Sequence, residues 1–389
     1  MIKLIESSFY REQETKEALI RFIRSAKRFS CGDVVESFER QFAKYQGRRD
    51  SIFFHSGSSA NLGLIQALMN MGKLKRGDSV GFSAVTWATN VMPLMQLGLK
   101  PVPIDVELNT LNVSSAQLKK VLVKHSLQAI FLTNLLGFCD DLDKIEQLCK
   151  KHKILLIEDN CEGLGTVYRG KRLGNYSYAS TFSFFVGHHL STIEGGAICT
   201  DDPKFSSMLR MVRAHGWDRS IPSKEQVALR KQHRVNHFYS RFTFYELGYN
   251  LRPTEIQGFL GNLQLKYFPE IAKKRNKNFL QMAKVLYANT EKYIPLRYDH
   301  IDFISAFSVP LVCRSKKILE KLIKQAKGKV EIRPIVGGDI TEQPFYRKHG
   351  EVPVELPNAQ IVHRQGLYLS CDPELSQKDI KTILDVFAK

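Results

Sequence analysis

The strongest constraint on the fold is an alternation of short apolar runs with longer amphipathic stretches between residues 50 and 200. Such alternation is typical of a mostly parallel sheet whose strands are connected by crossover helices. The predicted strands cover residues 51–54, 79–82, 100–104, 129–132, 154–157, 181–185 and 196–200, and the clearest helical patterns between them cover residues 59–71 and 142–152. We therefore predict a doubly wound, mostly parallel α/β domain, in which ligands bind at the carboxyl ends of the strands.

The rest of the chain predicts a second and smaller unit. Residues 201–240 have a more irregular pattern, and the polar stretch at 224–234 indicates either an excursion or a surface helix. A helical pattern follows Pro253, and the last hundred residues combine strand-like runs with a terminal amphipathic helix. The strand-like runs cover residues 306–312 and 330–333. Because 389 residues suffice for two domains, we predict a large α/β domain over residues 1–245 and a smaller α+β domain over residues 246–389.

The chain is strongly basic, with 57 Lys and Arg against 39 Asp and Glu and a formal charge of +18. Such an excess suits nucleic acid, an anionic membrane surface or an anionic small molecule. The basic residues are spread from Lys3 to Lys389, and no aromatic-interleaved nucleic-acid motif accompanies their short clusters. We therefore expect no nucleic-acid or membrane binding.

The seven cysteines form an odd set without a CxxC pair, so neither a disulfide framework nor a structural zinc site is expected. Near the amino-terminus Glu6 precedes any apolar signal region, and no segment approaches the ~18 apolar residues of a membrane span. We expect a protein of the reduced cytoplasm that holds no metal.

The first segment that carries chemistry is the small-residue loop SGSSAN at residues 56–61, between a predicted strand and a predicted helix. Free backbone amides, hydroxyl groups and the positive end of the helix make a phosphate the expected ligand. An ordinary serine cap of the helix explains the same residues.

The second segment is LIEDNCE at residues 156–162, which places three carboxylates within five residues at the carboxyl end of a strand. A carboxylate at that position either binds a metal or keeps a heteroaromatic ring nitrogen protonated, which makes the ring an electron sink. The alternative is a helix-capping Asp with solvated neighbours.

The third segment is SFFVGHHLSTIEGG at residues 183–196. Adjacent side chains in an extended chain point to opposite faces, so at most one of His188 and His189 faces a given site. A single histidine is usually structural, but the two preceding segments strengthen the case for His188.

These three motifs, together with Thr86-Trp87 and the sequence GYNLRP at residues 248–253, resemble the DegT/DnrJ/EryC1/StrS sugar-aminotransferase family of fold-type I pyridoxal-phosphate enzymes. The resemblance spans nearly the whole chain and implies an aspartate-aminotransferase-like large domain. Most members carry a lysine where this sequence has His188.

The replacement changes the expected chemistry, because a lysine amine forms a Schiff base with the cofactor whereas an imidazole only carries protons. The resemblance therefore implies pyridoxal phosphate and pyridoxamine phosphate that are held non-covalently. Within the family, the sequence resembles the 3-dehydratases of nucleotide-linked keto-sugars, which carry a histidine at this position. Local similarity to the branch that acts on GDP-4-keto-6-deoxy-D-mannose, in the colitose pathway, covers residues 134–137, 188–189, 194–196, 213–217 and 331–336.

A related histidine-bearing branch uses an iron–sulfur cluster, which requires closely grouped cysteines. The nearest pair here is Cys139 and Cys149, so no cluster is expected.

The activity that the resemblance implies is loss of the C3 hydroxyl from a nucleotide-linked 4-keto-6-deoxyhexose, with L-glutamate as amine donor. The products are a 4-keto-3,6-dideoxy sugar, 2-oxoglutarate and ammonia. Two alternatives are a nucleotide-sugar aminotransferase that releases an amino sugar and a catalytically silent cofactor-binding protein. GDP follows from the resemblance alone, and CDP or dTDP are open at this point.

Site residues are assigned from the matching motif positions, with His188 as the catalytic proton carrier. The expected cofactor-binding residues are Gly57, Ser58 and Ser183 at the phosphate, Trp87 stacked on the ring, Asp159 at the pyridine nitrogen, Glu162 at the far side of the ring, and Asn250 from the other subunit of a homodimer. The expected substrate or glutamate contacts are His215, Arg219, Glu331 and Arg333, since arginine suits carboxylate and phosphate. Simpler explanations are a core role for Trp87, an exposed strand pair for Glu331 and Arg333, and a helix cap for His215.

Overall fold

The computed structural model describes residues 1–350 and 355–388. The helices are α1 (Glu12–Ser25), α2 (Asp33–Gln46), α3 (Gly57–Asn70), α4 (Met92–Gln96), α5 (Ser115–Leu122), α6 (Leu142–His152), α7 (Pro203–Arg213), α8 (Ser223–Gln232), α9 (Glu255–Leu286), α10 (Lys316–Ala326), α11 (Pro344–His349), α12 (Pro357–Gln365) and α13 (Gln377–Phe387). The strands are β1 (Asp50–Phe54), β2 (Ser79–Ser83), β3 (Lys100–Ile104), β4 (Ala129–Thr133), β5 (Leu155–Asp159), β6 (Val167–Tyr168), β7 (Lys171–Arg172), β8 (Ala179–Ser183), β9 (Gly196–Thr200), β10 (Tyr293–Ile294), β11 (Ser308–Cys313), β12 (Arg333–Pro334) and β13 (Gly366–Ser370).

The large sheet has seven strands in the order β1-β9-β8-β5-β4-β2-β3. Strand β9 pairs antiparallel with both of its neighbours, whereas β3, β2, β4, β5 and β8 pair parallel along the sheet. Their near-continuous apolar sequences follow from burial on both faces. The observed sheet confirms the predicted α/β class.

The register of the central strands determines where the site lies. Asp159 at the end of β5 is paired with Thr133 of β4 on one side and with Thr181 of β8 on the other. The carboxyl ends of three neighbouring strands therefore meet at one edge of the sheet. Helix α3 begins beside this edge with a capping box, in which the side chains of Ser56 and Ser59 bond each other's backbone N–H groups.

A smaller sheet of four strands, β10-β11-β13-β12, forms the second unit. The 32-residue helix α9 connects the two sheets and packs on α2 of the first unit and on α13 and β11 of the second. Because α9 contacts both units, the boundary at residues 245 and 246 stays a prediction.

Three sequence predictions are corrected by the structure. Strand β8 ends at Ser183 instead of residue 185. The apolar run continues for two more residues that are not in the strand: Phe184 packs on Phe38 and Phe42, and Phe185 is exposed. Of the predicted run at residues 330–333, only Arg333 lies in a strand, β12, whereas Val330 pairs with Ile2 in an isolated bridge.

The third correction concerns residues 201–240, which contain two helices instead of irregular chain. Helix α7 is capped by Asp202, whose side chain accepts hydrogen bonds from the backbone of Lys204 and Phe205. Helix α8 has no buried residue, which confirms the surface-helix interpretation of the 224–234 stretch. A 2.6 Å hydrogen bond from Arg230 Nε to the buried carboxylate of Asp218 helps to hold α8 on the preceding segment.

Within the described ranges, no helix combines the length and apolar character that crossing a membrane requires.

Candidate active site

A cavity of about 510 Å³ opens at the carboxyl edge of the large sheet. Its wall combines the start of α3, the ends of β4, β5 and β8, the loop after β8, part of α9 and the small domain. Residues near the amino-terminus, from Leu4 to Tyr10, close one side. Of the predicted site residues, the cavity brings together Gly57, Ser58, Trp87, Asp159, Glu162, Ser183, His188 and Arg333.

The loop before α3 lies in close contact with the end of β8. A Cβ atom on Gly57 would lie 2.7 Å from Ser183 Cβ, so no larger residue fits at position 57 without displacement. Ser56 provides the helix cap through a 3.1 Å bond from Ser59 N to Ser56 Oγ. Because Ser56 caps the helix, the exposed Ser58 is free for the phosphate role that the sequence predicts.

Asp159 is nearly buried at the cavity edge and accepts three hydrogen bonds. Its Oδ2 accepts from Asn61 Nδ2 at 3.0 Å and from Asn90 Nδ2 at 2.7 Å, and its Oδ1 accepts from the backbone N–H of Cys161 at 2.8 Å. Such a set of donors suits an ionised, acceptor-only carboxylate. The sequence interpretation did not assign roles to Asn61 and Asn90. Asn61 is the last residue of the SGSSAN motif, and Asn90 follows Trp87 by three residues.

His188 borders the cavity with one ring nitrogen engaged. Its Nδ1 lies 2.7 Å from the carbonyl oxygen of Cys161. A carbonyl only accepts hydrogen bonds, so Nδ1 carries the proton and Nε2 holds the lone pair of the neutral ring. Burial lowers the pKa of His188 to about 4, with Arg275 acting in the same direction and Asp159 and the Cys161 carbonyl opposing it. The ring is therefore neutral at pH 7.

His189 also lines the cavity. The expectation that only one of the two histidines faces the site is wrong, because residues 186–190 form turns and bends instead of an extended chain. The environment of His189 nevertheless differs from that of His188. His189 is buried, and its Nε2 donates to Ser305 O at 2.8 Å. Its Nδ1 is buried without a hydrogen-bond partner in the described part of the chain. Burial lowers the pKa of His189 as well, so the side chain is a neutral packing element.

Glu162 is a second carboxyl group in the cavity wall, and its protonation differs from that of an ordinary glutamate. Its Oε2 accepts a 2.9 Å bond from the backbone N–H of Leu136. Burial raises its pKa to about 8, and the nearby charge of Asp159 adds to that effect. At pH 7 Glu162 is mostly protonated and available as a hydrogen-bond donor.

Trp87 lines the cavity with 57% of its surface exposed. This exposure excludes the interpretation that it fills the core. Its ring is available to a flat partner.

Four predicted residues lie outside the cavity lining. Glu331 accepts bonds from Leu4 N and from Arg333 Nη2, both at 3.0 Å, and these partners lower its pKa. The other three, His215, Arg219 and Asn250, lie on or beside the segment that follows α7.

That segment carries an exposed aromatic surface. The guanidinium of Arg219 lies 4.0 Å from the ring centre of Trp217 and 5.2 Å from that of Phe242, and His215 packs edge-on to Trp217 at 5.1 Å. Phe238 and Phe242 are 80% and 76% exposed in the single chain. Such a patch marks an interaction surface.

The cavity residues fit pyridoxal phosphate. The amino-terminal end of α3 and the hydroxyl groups beside Gly57 suit a phosphate, Asp159 suits a protonated ring nitrogen, and Trp87 suits a flat ring. The buried Oδ1 of Asn61 lacks a partner among the described residues, so the polar shell around Asp159 has capacity left for a ligand.

The comparisons with known proteins agree with this geometry. A model of the DegT/DnrJ/EryC1/StrS aminotransferase family matches residues 10–388. The chain is 33% identical over 395 residues to the GDP-4-keto-6-deoxy-D-mannose 3-dehydratase of Yersinia pseudotuberculosis, which covers 99% of this chain and 98% of that protein. Among solved structures, the Escherichia coli GDP-4-keto-6-deoxy-D-mannose-3-dehydratase with bound hydrated PLP has a TM-score of 0.89 at 30% identity, covering 100% of this chain and 99% of that one. A GDP-4-keto-6-deoxymannose-3-dehydratase with a trapped PLP-glutamate geminal diamine also has a TM-score of 0.89 at 30% identity, with full coverage of both chains.

Proposed function

The chain belongs to the DegT/DnrJ/EryC1/StrS aminotransferase family, and from this premise we propose that it deoxygenates a nucleotide-linked 4-keto-6-deoxyhexose at C3. The cofactor is pyridoxal phosphate, held without a covalent bond, and the amine donor is L-glutamate. The net reaction converts the sugar and glutamate into a 4-keto-3,6-dideoxy sugar, 2-oxoglutarate and ammonia. The similarity to the two 3-dehydratases with bound PLP and PLP-glutamate supports the cofactor and the donor.

One observation carries the proposal: no lysine lines the cavity in the described ranges. Without an amine, the site lacks the group that holds the cofactor as a Schiff base in an aminotransferase. The neutral imidazole of His188, whose Nδ1 is engaged by Cys161, presents Nε2 as a base instead. A base at this position moves protons but has no amine that could displace an amino-sugar product from the cofactor, so the sugar leaves by hydrolysis or by further chemistry.

The cofactor, when bound, supplies an electron-poor ring that carries an amine between glutamate and the sugar. We propose that Gly57, Ser58 and Ser183 bind its phosphate and that Asp159 holds its ring nitrogen in the protonated form. Trp87 packs on the ring, and the protonated Glu162 donates a hydrogen bond at the ring's far side.

We propose that His188 Nε2 takes the α-proton from glutamate and passes it to the bound cofactor, and that the freed Nε2 then takes this proton back from the cofactor after the sugar has bound. Its low pKa keeps the nitrogen unprotonated at pH 7, which fits the role of a general base. Arg333 in the cavity wall contacts a negative group of the substrates, and Glu331 beside it, which accepts a 3.0 Å bond from Arg333, contacts a hydroxyl group of the sugar.

We propose a homodimer in which His215, Arg219 and Asn250 serve the site of the other subunit. These residues lie outside the cavity of their own chain, on the exposed surface around Trp217. A test mixes two inactive variants, His188→Asn and Asn250→Ala. Statistical exchange leaves about a quarter of the sites intact, so recovery of about that share of activity supports the shared site, and no recovery contradicts it.

We also propose that the enzyme works in the cytoplasm, since its seven cysteines are all free, as expected in a reduced compartment. Its net positive charge attracts a diphosphate-linked sugar and an anionic cofactor.

Product analysis tests the proposal. The protein is incubated with pyridoxal phosphate, glutamate and GDP-, CDP- or dTDP-linked 4-keto-6-deoxy sugars. We expect equal amounts of ammonia, 2-oxoglutarate and a deoxygenated ketone, with the GDP-linked sugar as the best substrate. A stable 4-amino sugar would show an aminotransferase, and the absence of 2-oxoglutarate would show a catalytically silent protein.

A further inference from the structure

Arg275 of α9 is a buried cation in the cavity wall, and no carboxylate of the described residues forms an ion pair with it. It is 5% exposed, and its Nη1 donates to the carbonyl oxygens of Phe307 at 2.9 Å, Cys371 at 3.3 Å and Ala306 at 3.4 Å. Its Nε is buried without a partner among the described residues. Buried guanidinium groups usually pair with a carboxylate, because an unpaired charge is costly to bury. An unpaired charge that lines a cavity points to function at that site.

Two of the three carbonyl groups that Arg275 binds, those of Ala306 and Phe307, belong to a segment directly beside the two histidines. Three successive carbonyls of this segment are bonded by side chains from other elements: Ser305 O by His189 Nε2, and Ala306 O and Phe307 O by Arg275. The Phe307 ring lies 5.1 Å from the His188 ring and 5.9 Å from the His189 ring. Arg275 therefore fixes the main chain that carries the aromatic wall of the catalytic imidazole.

We propose that Arg275 is a positioning residue for His188. By holding the main chain of Phe307 it keeps the imidazole in the position set by the Cys161 carbonyl. Its positive charge disfavours a second positive charge on the ring, so Nε2 stays available as a base. The inference rests on the proposed function only in taking His188 as the proton carrier.

The surrounding charges support this assignment. Burial is the main cause of the low pKa of His188, and Arg275 lowers the pKa of both histidines further. Asp159 opposes Arg275 at His188. The other titratable or charged groups in the cavity wall are Tyr10, Cys161, Glu162, Glu194, Arg333, Tyr368, Asp372 and Glu374.

The test compares Arg275→Met, which removes the charge and the carbonyl bonds, with Arg275→Lys, which keeps only the charge. The assay is the single-turnover conversion of glutamate to 2-oxoglutarate by the protein loaded with pyridoxal phosphate, measured from about pH 3.5 to 9 so that the range includes the His188 pKa of about 4. We expect the acid limb of the rate profile to move to higher pH in Arg275→Met, because the pKa of His188 rises when the cation is removed. Arg275→Lys should keep the acid limb in place and lose about tenfold in rate, with the KM for glutamate within about twofold of wild type in both variants.

A matched control is Arg48→Met. The Arg48 side chain is 7% exposed and forms a 3.2 Å ion pair with Asp201. Like Arg275 it donates to carbonyl groups, Ser177 O at 3.1 Å and Tyr178 O at 2.9 Å, but it does not line the cavity. We expect this variant to lose thermal stability without any movement of the acid limb. If Arg275→Met shows only the same loss, or if its main effect is a raised KM for glutamate, the positioning role is wrong.

A second measurement separates this inference from the proposed function. The ring nitrogens of His188, titrated by NMR in ¹⁵N-histidine-labelled protein, report the imidazole directly whether or not glutamate is converted. An upward shift of the His188 titration in Arg275→Met but not in Arg275→Lys supports the inference even if the wild type makes no 2-oxoglutarate. Identical titrations in wild type and Arg275→Met contradict it even if the wild type is active.

Discussion

Replacing Glu162 by Gln should stabilise the protein, and the gain should increase with pH. The substitution keeps an acceptor for the 2.9 Å bond from Leu136 N and removes a carboxyl group whose pKa is raised from 4.5 to about 8 by burial. A raised carboxyl pKa means that the folded state binds the proton more tightly than the unfolded state. The folded protein is therefore most favoured below pH 4.5 and loses stability as the pH rises towards 8.

The size of the effect follows from the two pKa values. At 1.36 kcal/mol for each pKa unit, burial of the ionised form costs up to about 5 kcal/mol above pH 8. Glu162 is only partly shielded from the water of the cavity, so about half of that figure is the expected cost. Between pH 6 and pH 9, we expect the stability of Glu162→Gln relative to wild type to grow by about 1.5 kcal/mol.

Urea unfolding of the cofactor-free proteins at pH 6 and pH 9 measures this difference. The control is Glu331→Gln, because the pKa of Glu331 is lowered by Leu4 N and Arg333. A lowered pKa contributes stability that is lost only in acid, so the effect of this control should be the same at pH 6 and pH 9. If the difference in the free energy of unfolding between Glu162→Gln and wild type is the same at pH 6 and at pH 9, Glu162 is not a buried, protonated carboxyl group.

Three further predictions concern the cofactor site. Trp87→Ala should weaken pyridoxal phosphate binding about tenfold, the loss of about 1.4 kcal/mol of stacking, in an absorbance titration; unchanged affinity excludes stacking. Asn90→Ala removes the 2.7 Å bond to Asp159 and the 3.0 Å bond from Thr86 Oγ1, and should lower the free energy of unfolding by about 1–2 kcal/mol. Thermal melting at pH 7 measures this loss, which should be smaller when Asn90→Ala is introduced into Asp159→Asn than into wild type; equal losses in both would show that the bond to Asp159 contributes nothing. His188→Asn should bind the cofactor as wild type does but slow 2-oxoglutarate formation by about 10²–10⁴-fold; equal turnover would remove His188 from proton transfer.

Much of the fold was predictable because buried parallel strands leave a simple signal. Strands β3 and β9 match the predicted limits, and the other five strands of the large sheet lie within two residues of theirs. The signal fails where apolar residues serve another purpose. Phe184 fills an aromatic cluster beyond the end of β8, and Val330 pairs with the amino-terminal segment.

The candidate site was predictable where its residues lie in one motif. Asp159, Ser183 and His188 stand in two short segments that end neighbouring strands. Asn90 and Arg275 could not be found in this way, because their hydrogen-bond partners are distant in the sequence. Asn90 bonds a residue 69 positions away, and Arg275 bonds residues 31 to 96 positions away. The low pKa of His188 was also hidden, since burial depends on elements from the whole chain.

The central claim is that His188 occupies the position of a cofactor-binding lysine and that the cofactor is held without a covalent bond. Borohydride reduction of the protein loaded with pyridoxal phosphate, followed by denaturation and mass spectrometry, tests it directly. We expect the native chain to emerge without an added pyridoxyl group, and the His188→Lys variant to retain one. A native chain that carries the reduced cofactor after denaturation would contradict the claim.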